Sequence, residues 1–78
     1  MIPVGFMFIQ CTKGSEDKIL EVMKSIPEVT YAYKVDKAYD IVIRLESDSL
    51  ERFTSAITVV RSTPGLLNTD TMIGFRRQ

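Results

Sequence analysis

The stretch that decides the fold is residues 29–46, VTYAYKVDKAYDIVIRLE. Its two runs alternate every second residue, with Val29, Tyr31, Tyr33 and Val35 in the first and Tyr39, Ile41, Ile43 and Leu45 in the second. A period of two in residues of high β-propensity predicts strands that each bury one face. The join Asp36-Lys37-Ala38 is too short for anything but an antiparallel hairpin. We therefore expect a hairpin here, and we place the candidate functional corner at residues 36–40.

Composition limits the classes of function. The 78 residues predict a single domain over 1–78, with ten basic and ten acidic residues, no histidine and one cysteine. The absence of histidine excludes histidine acid–base catalysis and histidine-ligated metals, so we predict no catalytic residue, no metal site and no cofactor. The charge balance argues against a DNA-binding surface. No charged stretch leads into a long apolar run, so we expect no signal peptide, no membrane contact and a cytoplasmic location.

The first strand, at residues 2–11, is apolar on both faces. One face carries Val4, Phe6 and Phe8, and the other carries Met7, Ile9 and Cys11. A strand of this kind is typical of the middle of a sheet that is covered on both sides.

Two amphipathic helices follow helical spacing. The predicted apolar positions are Ile19, Leu20, Met23 and Ile26 in the first and Leu50, Phe53, Ile57 and Val60 in the second. Ser15 is the expected N-cap of the first helix, and Asp48 with Glu51 has the capping-box spacing for the second. Cys11 is expected to be a buried small apolar residue, because no base is in view.

An internal repeat fixes the topology. The helix-stop, strand-start signals at residues 25–29 and 62–66 lie 37 positions apart. Two βαβ halves with right-handed crossovers predict an α+β, ferredoxin-like βαββαβ fold. This fold is a four-stranded antiparallel sheet with both helices on one face, and strands one and three are central.

One face of that sheet would lack helices although the first strand is apolar there. A large exposed apolar patch is rare on a monomer, so we expect a homo-oligomer formed sheet against sheet. The alternative is that the long side chains of Arg44 and Lys34, with the tails, cover this face.

Three local patterns resemble the ligand-binding, oligomerising domain of the leucine-responsive/asparagine regulator (Lrp/AsnC) family. They are Ile26-Pro27-Glu28-Val29, Tyr39-Asp40-Ile41-Val42 and Pro64-Gly65-Leu66-Leu67-Asn68-Thr69-Asp70-Thr71. Lys37 stands where the family usually has glycine, which permits positive φ and close ligand approach. Family regulators also carry an N-terminal helix-turn-helix domain, whereas the predicted first strand here begins at residue 2. The chain therefore resembles a stand-alone sensing domain, and we expect no DNA binding of its own.

The resemblance implies an amino-acid effector bound where dimers meet in a ring of dimers. We also expect the module to act through partners, with full-length regulators of the family as the candidates. The candidate ligand-binding residues are Asp36, Lys37, Tyr39, Asp40, Thr69 and Thr71. An α-amino acid needs an acceptor for its ammonium group, which Asp40 offers, and donors for its carboxylate, which the threonines and Lys37 offer.

The alternative roles stay open. Asp40 can instead satisfy backbone N–H groups of the hairpin, the threonines can serve strand propensity alone, and Tyr39 can serve packing. The leading function is an amino-acid-responsive oligomeric regulatory module, not an enzyme. A small dimeric ferredoxin-like enzyme of the monooxygenase or isomerase type would need an acid–base set that the chain lacks. A purely structural assembly domain, or an effector module similar to the ACT domain, is the third class.

Overall fold

The computed structural model describes residues 1–77. The elements in chain order are β1 (Ile2–Cys11), α1 (Glu16–Lys24), β2 (Val29–Lys34), β3 (Ile41–Glu46), α2 (Leu50–Arg61) and β4 (Leu66–Arg76). This order confirms the predicted ferredoxin-like βαββαβ fold. None of the helices in this part of the chain has the length and apolar character needed to cross a membrane.

The sheet has the strand order β2-β3-β1-β4, and every neighbouring pair is antiparallel. β1 and β3 are therefore central, as predicted. Phe6 of β1 lies opposite Arg44 of β3 on one side and Met72 of β4 on the other. Residues that lie opposite each other share a face of the sheet, so this register decides which side chains meet.

Both helices pack on one face of the sheet and enclose the core. The buried apolar residues are Met7, Ile9, Cys11, Ile19, Met23, Ile26, Ala32, Ile41, Ile43, Leu45, Phe53, Ala56, Ile57 and Val60. Met7, Ile9 and Cys11 are thus the helix-covered side of β1. Leu50 was predicted to be in the apolar stripe of α2, but it is 61% exposed because it lies at the first residue of the helix.

The helix starts agree with the predicted N-cap residue of α1 and differ from that of α2. At α1, Ser15 is the N-cap, but its hydroxyl donates to the Thr12 carbonyl at 2.6 Å and makes no cap bond. At α2 the predicted Asp48 cap is wrong, because Ser49 is the N-cap and its Oγ accepts from the Arg52 N–H at 3.2 Å. Serine is among the preferred N-cap residues, and it stands one position nearer to the helix.

The predicted buried face of the first hairpin run is also wrong. The register shifts between Val29 and Tyr31, so that Ala32 is the buried residue and Tyr31 and Tyr33 emerge on the opposite face. A bulge reverses the inside–outside alternation of a strand at one point, which explains the change. β2 ends at Lys34 and β3 begins at Ile41, so the connection is longer than the three residues expected.

The second sheet face, here called the open face, carries no helix. Its apolar residues include Ile2, Val4, Phe6, Phe8, Tyr31, Tyr33, Tyr39, Val42 and Met72. Tyr33 and Met72 are 59% and 63% exposed. Lys34 does not cover this face, because it lies on the helix side and bonds Asp17 of α1 at 2.7 Å. The open face therefore leaves large apolar side chains in contact with water.

One charged cluster lies at an end of the open face. Glu46 accepts from Arg76 at 2.7 and 3.0 Å and from Arg44 at 2.9 Å. The hydrogen bonds from Arg76 and then Arg44 hold the pKa of the Glu46 carboxyl at about 2, below its ordinary value of 4.5. Arg44 thus covers a part of the open face near Phe6, and its guanidinium group forms an ion pair with Glu46.

Gly5 is required by the packing of α2. A Cβ at this position would lie 2.9 Å from Cζ of Phe53, which is closer than carbon atoms can approach. Gly5→Ala should therefore lower the free energy of unfolding by about 1–3 kcal/mol, the usual effect of an overpacked core. Gly74→Ala is the matched control, since nothing lies within 4 Å of its Cβ position. Urea unfolding at one protein concentration measures both, and equal stabilities would contradict the packing account.

The Glu46 cluster predicts a pH dependence. Because the pKa of Glu46 is lower in the folded state than in the unfolded chain, its contribution is present above about pH 4.5 and is lost as the pH falls toward 2. Between about pH 5 and pH 2.5, the melting temperature of Glu46→Gln should consequently fall less than that of the parent protein. Glu51→Gln, at an exposed position of α2, should follow the parent. Parallel melting curves for parent and Glu46→Gln would show that the cluster contributes nothing.

Candidate functional site

The corner between β2 and β3 contains a residue with unusual backbone geometry. Lys37 has φ +89°, and it is the non-glycine residue with positive φ among residues 1–77. Lysine therefore occupies a left-handed conformation that glycine adopts without strain, and holding it there costs about 1–2 kcal/mol. The corner is closed by the Val35 N–H, which donates to the Asp40 carbonyl at 2.9 Å, and Gln10 donates to the Ala38 carbonyl at 2.8 Å.

Asp40 connects the corner to β1. Its N–H donates to the Ile9 carbonyl at 2.8 Å, and its Oδ2 accepts from the Cys11 N–H at 2.8 Å. The carboxylate thus serves a backbone N–H of β1, next to the register shift at Gln10 and Cys11. Within residues 1–77 this carboxylate accepts no hydrogen bond from an N–H group of the hairpin itself, which was the alternative role predicted for Asp40. Within residues 1–77 its Oδ1 receives no hydrogen bond.

Cys11 lies beneath this contact and is 6% exposed. Burial is the main cause that raises the pKa of its thiol; a hydrogen bond with Ser15 opposes this shift, and the charges of Asp40 and Glu16 add to it. The thiol therefore stays protonated and is a poor nucleophile.

Tyr39 lies on the open face rather than on the face of Ile41. Its ring packs against Phe8 with the centroids 5.5 Å apart, and its hydroxyl donates to Oδ2 of Asp70 at 2.6 Å. The hydrogen bond to Asp70, burial and the Asp70 charge raise the pKa of the Tyr39 phenol. An open depression of about 390 Å³, here called the Tyr39 pocket, lies beside this pair. It is lined by Phe8, Tyr39, Asp70, Thr71 and Met72.

The two threonines lie on β4 and point away from the open face. Thr69 is opposite Ile9 and Thr71 is opposite Met7, both on the helix side of β1. The Thr71 hydroxyl accepts from Arg61 Nη2 at 3.4 Å, near the end of α2. Both threonines are half-buried.

Asp40 borders a second depression of about 320 Å³, which is lined by Glu16, Asp17, Lys34, Val35 and Asp40. It lies between the start of α1 and the corner. Lys34 and Asp17 form an ion pair across it at 2.7 Å, with side chains that are 54% and 85% exposed. No group of three or more metal-ligating side chains occurs in the described part of the chain.

One subunit does not join the six predicted residues in a single pocket. Tyr39 and Thr71 border one depression, Asp40 borders another, and Asp36 and Lys37 are exposed at the corner. Sequence reasoning missed Phe8, Asp70 and Met72 as partners of Tyr39. Their side chains meet only through the β1–β4 register, in which Asp70 faces Phe8, and no spacing along the chain reveals that pairing.

Comparison with known proteins agrees with the fold. Residues 4–77 match the family model of the Lrp/AsnC ligand binding domain. The HTH-type transcriptional regulator FL11 of Pyrococcus horikoshii is 23% identical over 70 residues, which are 90% of this chain and 46% of FL11. The chain thus spans about half the length of this curated relative.

Two solved structures are also similar. The hypothetical protein PHS023 of Pyrococcus horikoshii is 31% identical with a TM-score of 0.89, covering 99% of this chain and 93% of PHS023. E. coli AsnC is 22% identical with a TM-score of 0.82, covering 96% of this chain and 52% of AsnC, and it shows the shared fold. The match over residues 4–77 confirms the resemblance, and the chain belongs to the Lrp/AsnC ligand binding domain family.

Proposed function

We propose that this protein is an oligomeric regulatory module that binds an amino-acid effector and acts through protein partners. The observation that carries the proposal is the family match over residues 4–77. The named relatives FL11 and AsnC supply the regulatory context, since FL11 is a transcriptional regulator by name. Full-length regulators of the same family are the proposed partners, because they carry a domain of the same shape.

The open face supports the assembly part of the proposal. Two helices cover one side of the sheet, and Phe6, Phe8 and Met72 lie on the other side. Burying apolar surface is favourable by about 25 cal/mol per Å², and a second copy offers a matching apolar sheet. We therefore propose a dimer formed open face to open face, with dimers joined in a ring as the family resemblance implies.

The corner supports the effector part. Asp40 keeps one carboxylate oxygen on the Cys11 N–H and has Oδ1 available for the effector's ammonium group. Lys37, Thr69 and Thr71 are the proposed donors to the effector's carboxylate. Asp36 and Tyr39 are the remaining proposed ligand-binding residues. These groups lie on different sides of one subunit, so the proposed site is completed by a neighbouring copy.

The partner proposal has a direct test. Native mass spectrometry of this chain mixed with a full-length family regulator should show mixed oligomers, because like domains exchange subunits. Separate homo-oligomers after prolonged mixing would exclude that partnership.

The effector proposal is tested first by screening the twenty amino acids for a rise in melting temperature, because a ligand that binds the folded state stabilises it. For an amino acid that binds, Asp40→Asn should weaken the calorimetric affinity by about 1.5–3 kcal/mol, the scale of a hydrogen bond to a charged group. Asparagine keeps an oxygen for the Cys11 N–H, so the fold should survive.

Asp48→Asn is the control for this measurement, because Asp48 is exposed and lies before α2, at the opposite end of β3 from the corner. It should leave the affinity unchanged. Binding that is equally strong in Asp40→Asn would exclude Asp40 as the ammonium acceptor. A screen without any stabilising amino acid would instead favour a purely structural assembly domain.

The assembly proposal is tested by one charge on each side of β1. Met7 is fully buried under the helices, so Met7→Asp should unfold the subunit, whereas Phe6→Asp on the open face should give a folded or partly folded chain of lower mass. Val59→Asp, on the exposed side of α2, should keep at least a dimer. Circular dichroism and light scattering measure the two effects. A Phe6→Asp protein with the parent's mass would contradict the proposed interface.

A further inference from the structure

Three consecutive residues of β1 hold the corner between β2 and β3. The Ile9 carbonyl accepts from the Asp40 N–H at 2.8 Å, and the Cys11 N–H donates to Oδ2 of Asp40 at 2.8 Å. Between them, Nε2 of Gln10 donates to the Ala38 carbonyl at 2.8 Å. Ile9 and Cys11 use backbone groups, so Gln10 is the one of the three that holds the corner through its side chain.

The Gln10 side chain also reaches β4. Its Oε1 accepts from Nδ2 of Asn68 at 3.3 Å, and these two residues lie opposite each other in the β1–β4 pairing. A carbonyl only accepts hydrogen bonds, so the nitrogen of the Gln10 amide must face Ala38 and its oxygen must face Asn68. The register shifts directly after this pair, between Gln10 and Cys11. Such a shift interrupts the backbone ladder locally, and the Gln10 amide bridges the corner and β4 at this point.

The corner has little besides hydrogen bonds to hold it. Residues 35–38 are exposed, so side-chain packing contributes little to their position. Lys37 has φ +89°, and a strained backbone conformation persists only where its surroundings impose it. The hydrogen bond from Gln10 acts on the Ala38 carbonyl, one residue after this strained position.

We propose that Gln10 is the positioning residue of the effector site and sets the corner relative to β4 before the effector binds. The inference rests on the proposed function, in which Asp40 accepts from the ammonium group and Lys37 and Thr69 donate to the carboxylate. Gln10 bonds the residue after Lys37 and, on β4, the residue before Thr69. A site already held in its binding geometry avoids the entropy cost of ordering on binding. Loss of the Gln10 amide therefore lowers affinity although Gln10 contacts no effector.

The first test needs no effector and compares amide hydrogen exchange in the unmodified protein and in Gln10→Met. Methionine has a similar length but no hydrogen-bond donor. The reporters are the Val35 N–H, which donates to the Asp40 carbonyl, and the Asp40 N–H. The reference is the Glu46 N–H, which is bonded at the other end of the β2–β3 pair. Both reporters should exchange about three- to tenfold faster in Gln10→Met, the range of one neutral hydrogen bond, while the reference keeps its rate. Unchanged reporters, or an equal acceleration at Glu46, would overturn the proposal.

A second variant, Gln10→Glu, assigns the effect to the bond with Ala38. At neutral pH glutamate still has an oxygen that accepts from Asn68, but it has no proton to donate to the Ala38 carbonyl. It should therefore accelerate exchange at the Val35 and Asp40 N–H groups as Gln10→Met does. Exchange at the parent's rate would show that the bond to Ala38 does not hold the corner, and would also overturn the proposal.

The last test measures calorimetric affinity for an amino acid that raises the parent's melting temperature in the screen of twenty. Gln10→Met should bind it about three- to tenfold more weakly, at a temperature well below the melting of each protein. Gly5→Ala is the control, because it destabilises the packing of α2 without contact to the corner, and it should keep the parent's affinity. Unchanged affinity in Gln10→Met, or an equal loss in Gly5→Ala, would overturn the positioning role. If no amino acid binds the parent, the proposed function fails, and the exchange result alone decides whether Gln10 holds the corner.

Discussion

The structure depends on one constraint: two short helices can cover only one face of a four-stranded sheet. α1 and α2 both lie on the side of Met7 and Ile9, and that side is closed to water. β1 is one of the two central strands and is apolar on both faces, so Phe6 and Phe8 remain on the side that carries no helix. We therefore expect stability and assembly to be linked, because a chain of 78 residues has a small core and would gain much from a second apolar surface.

The same constraint shapes the site. Residues at the corner between β2 and β3 face in two directions, with Asp40 toward α1 and Tyr39 toward the open face. A neighbouring copy on either side would border a different depression. Asp40 and Asp70 therefore lie in two separate depressions, one next to the polar start of α1 and one beside an aromatic pair.

Lys37 shows how a family position can change its side chain and keep its backbone. The family resemblance places glycine there, and the lysine adopts φ +89°, a conformation natural to glycine. The corner's hydrogen bonds, from Val35 to Asp40 and from Gln10 to Ala38, hold the backbone in place. Lysine therefore adds a positive charge at the corner, in a backbone conformation that glycine adopts without strain.

The topology was predictable from the sequence because its signals are local and repeated. The doubly apolar residues 2–11 indicated a central strand, and the stops at Pro27 and Pro64 indicated two βαβ halves. The bulge between Val29 and Tyr31 was not predictable, since Ala32 is a weaker apolar signal than the tyrosines beside it. Nor was the Tyr39–Asp70 contact, because it joins residues 31 positions apart through strand register alone.

The measurement that tests the central claim most directly is the mass and melting temperature of the unmodified protein over a range of concentrations. The account predicts a mass of at least two 8.9 kDa subunits in light scattering at micromolar concentration, and a melting temperature that rises with protein concentration. A monodisperse monomer with a melting temperature independent of concentration would contradict it, because the open face would then be stable in water.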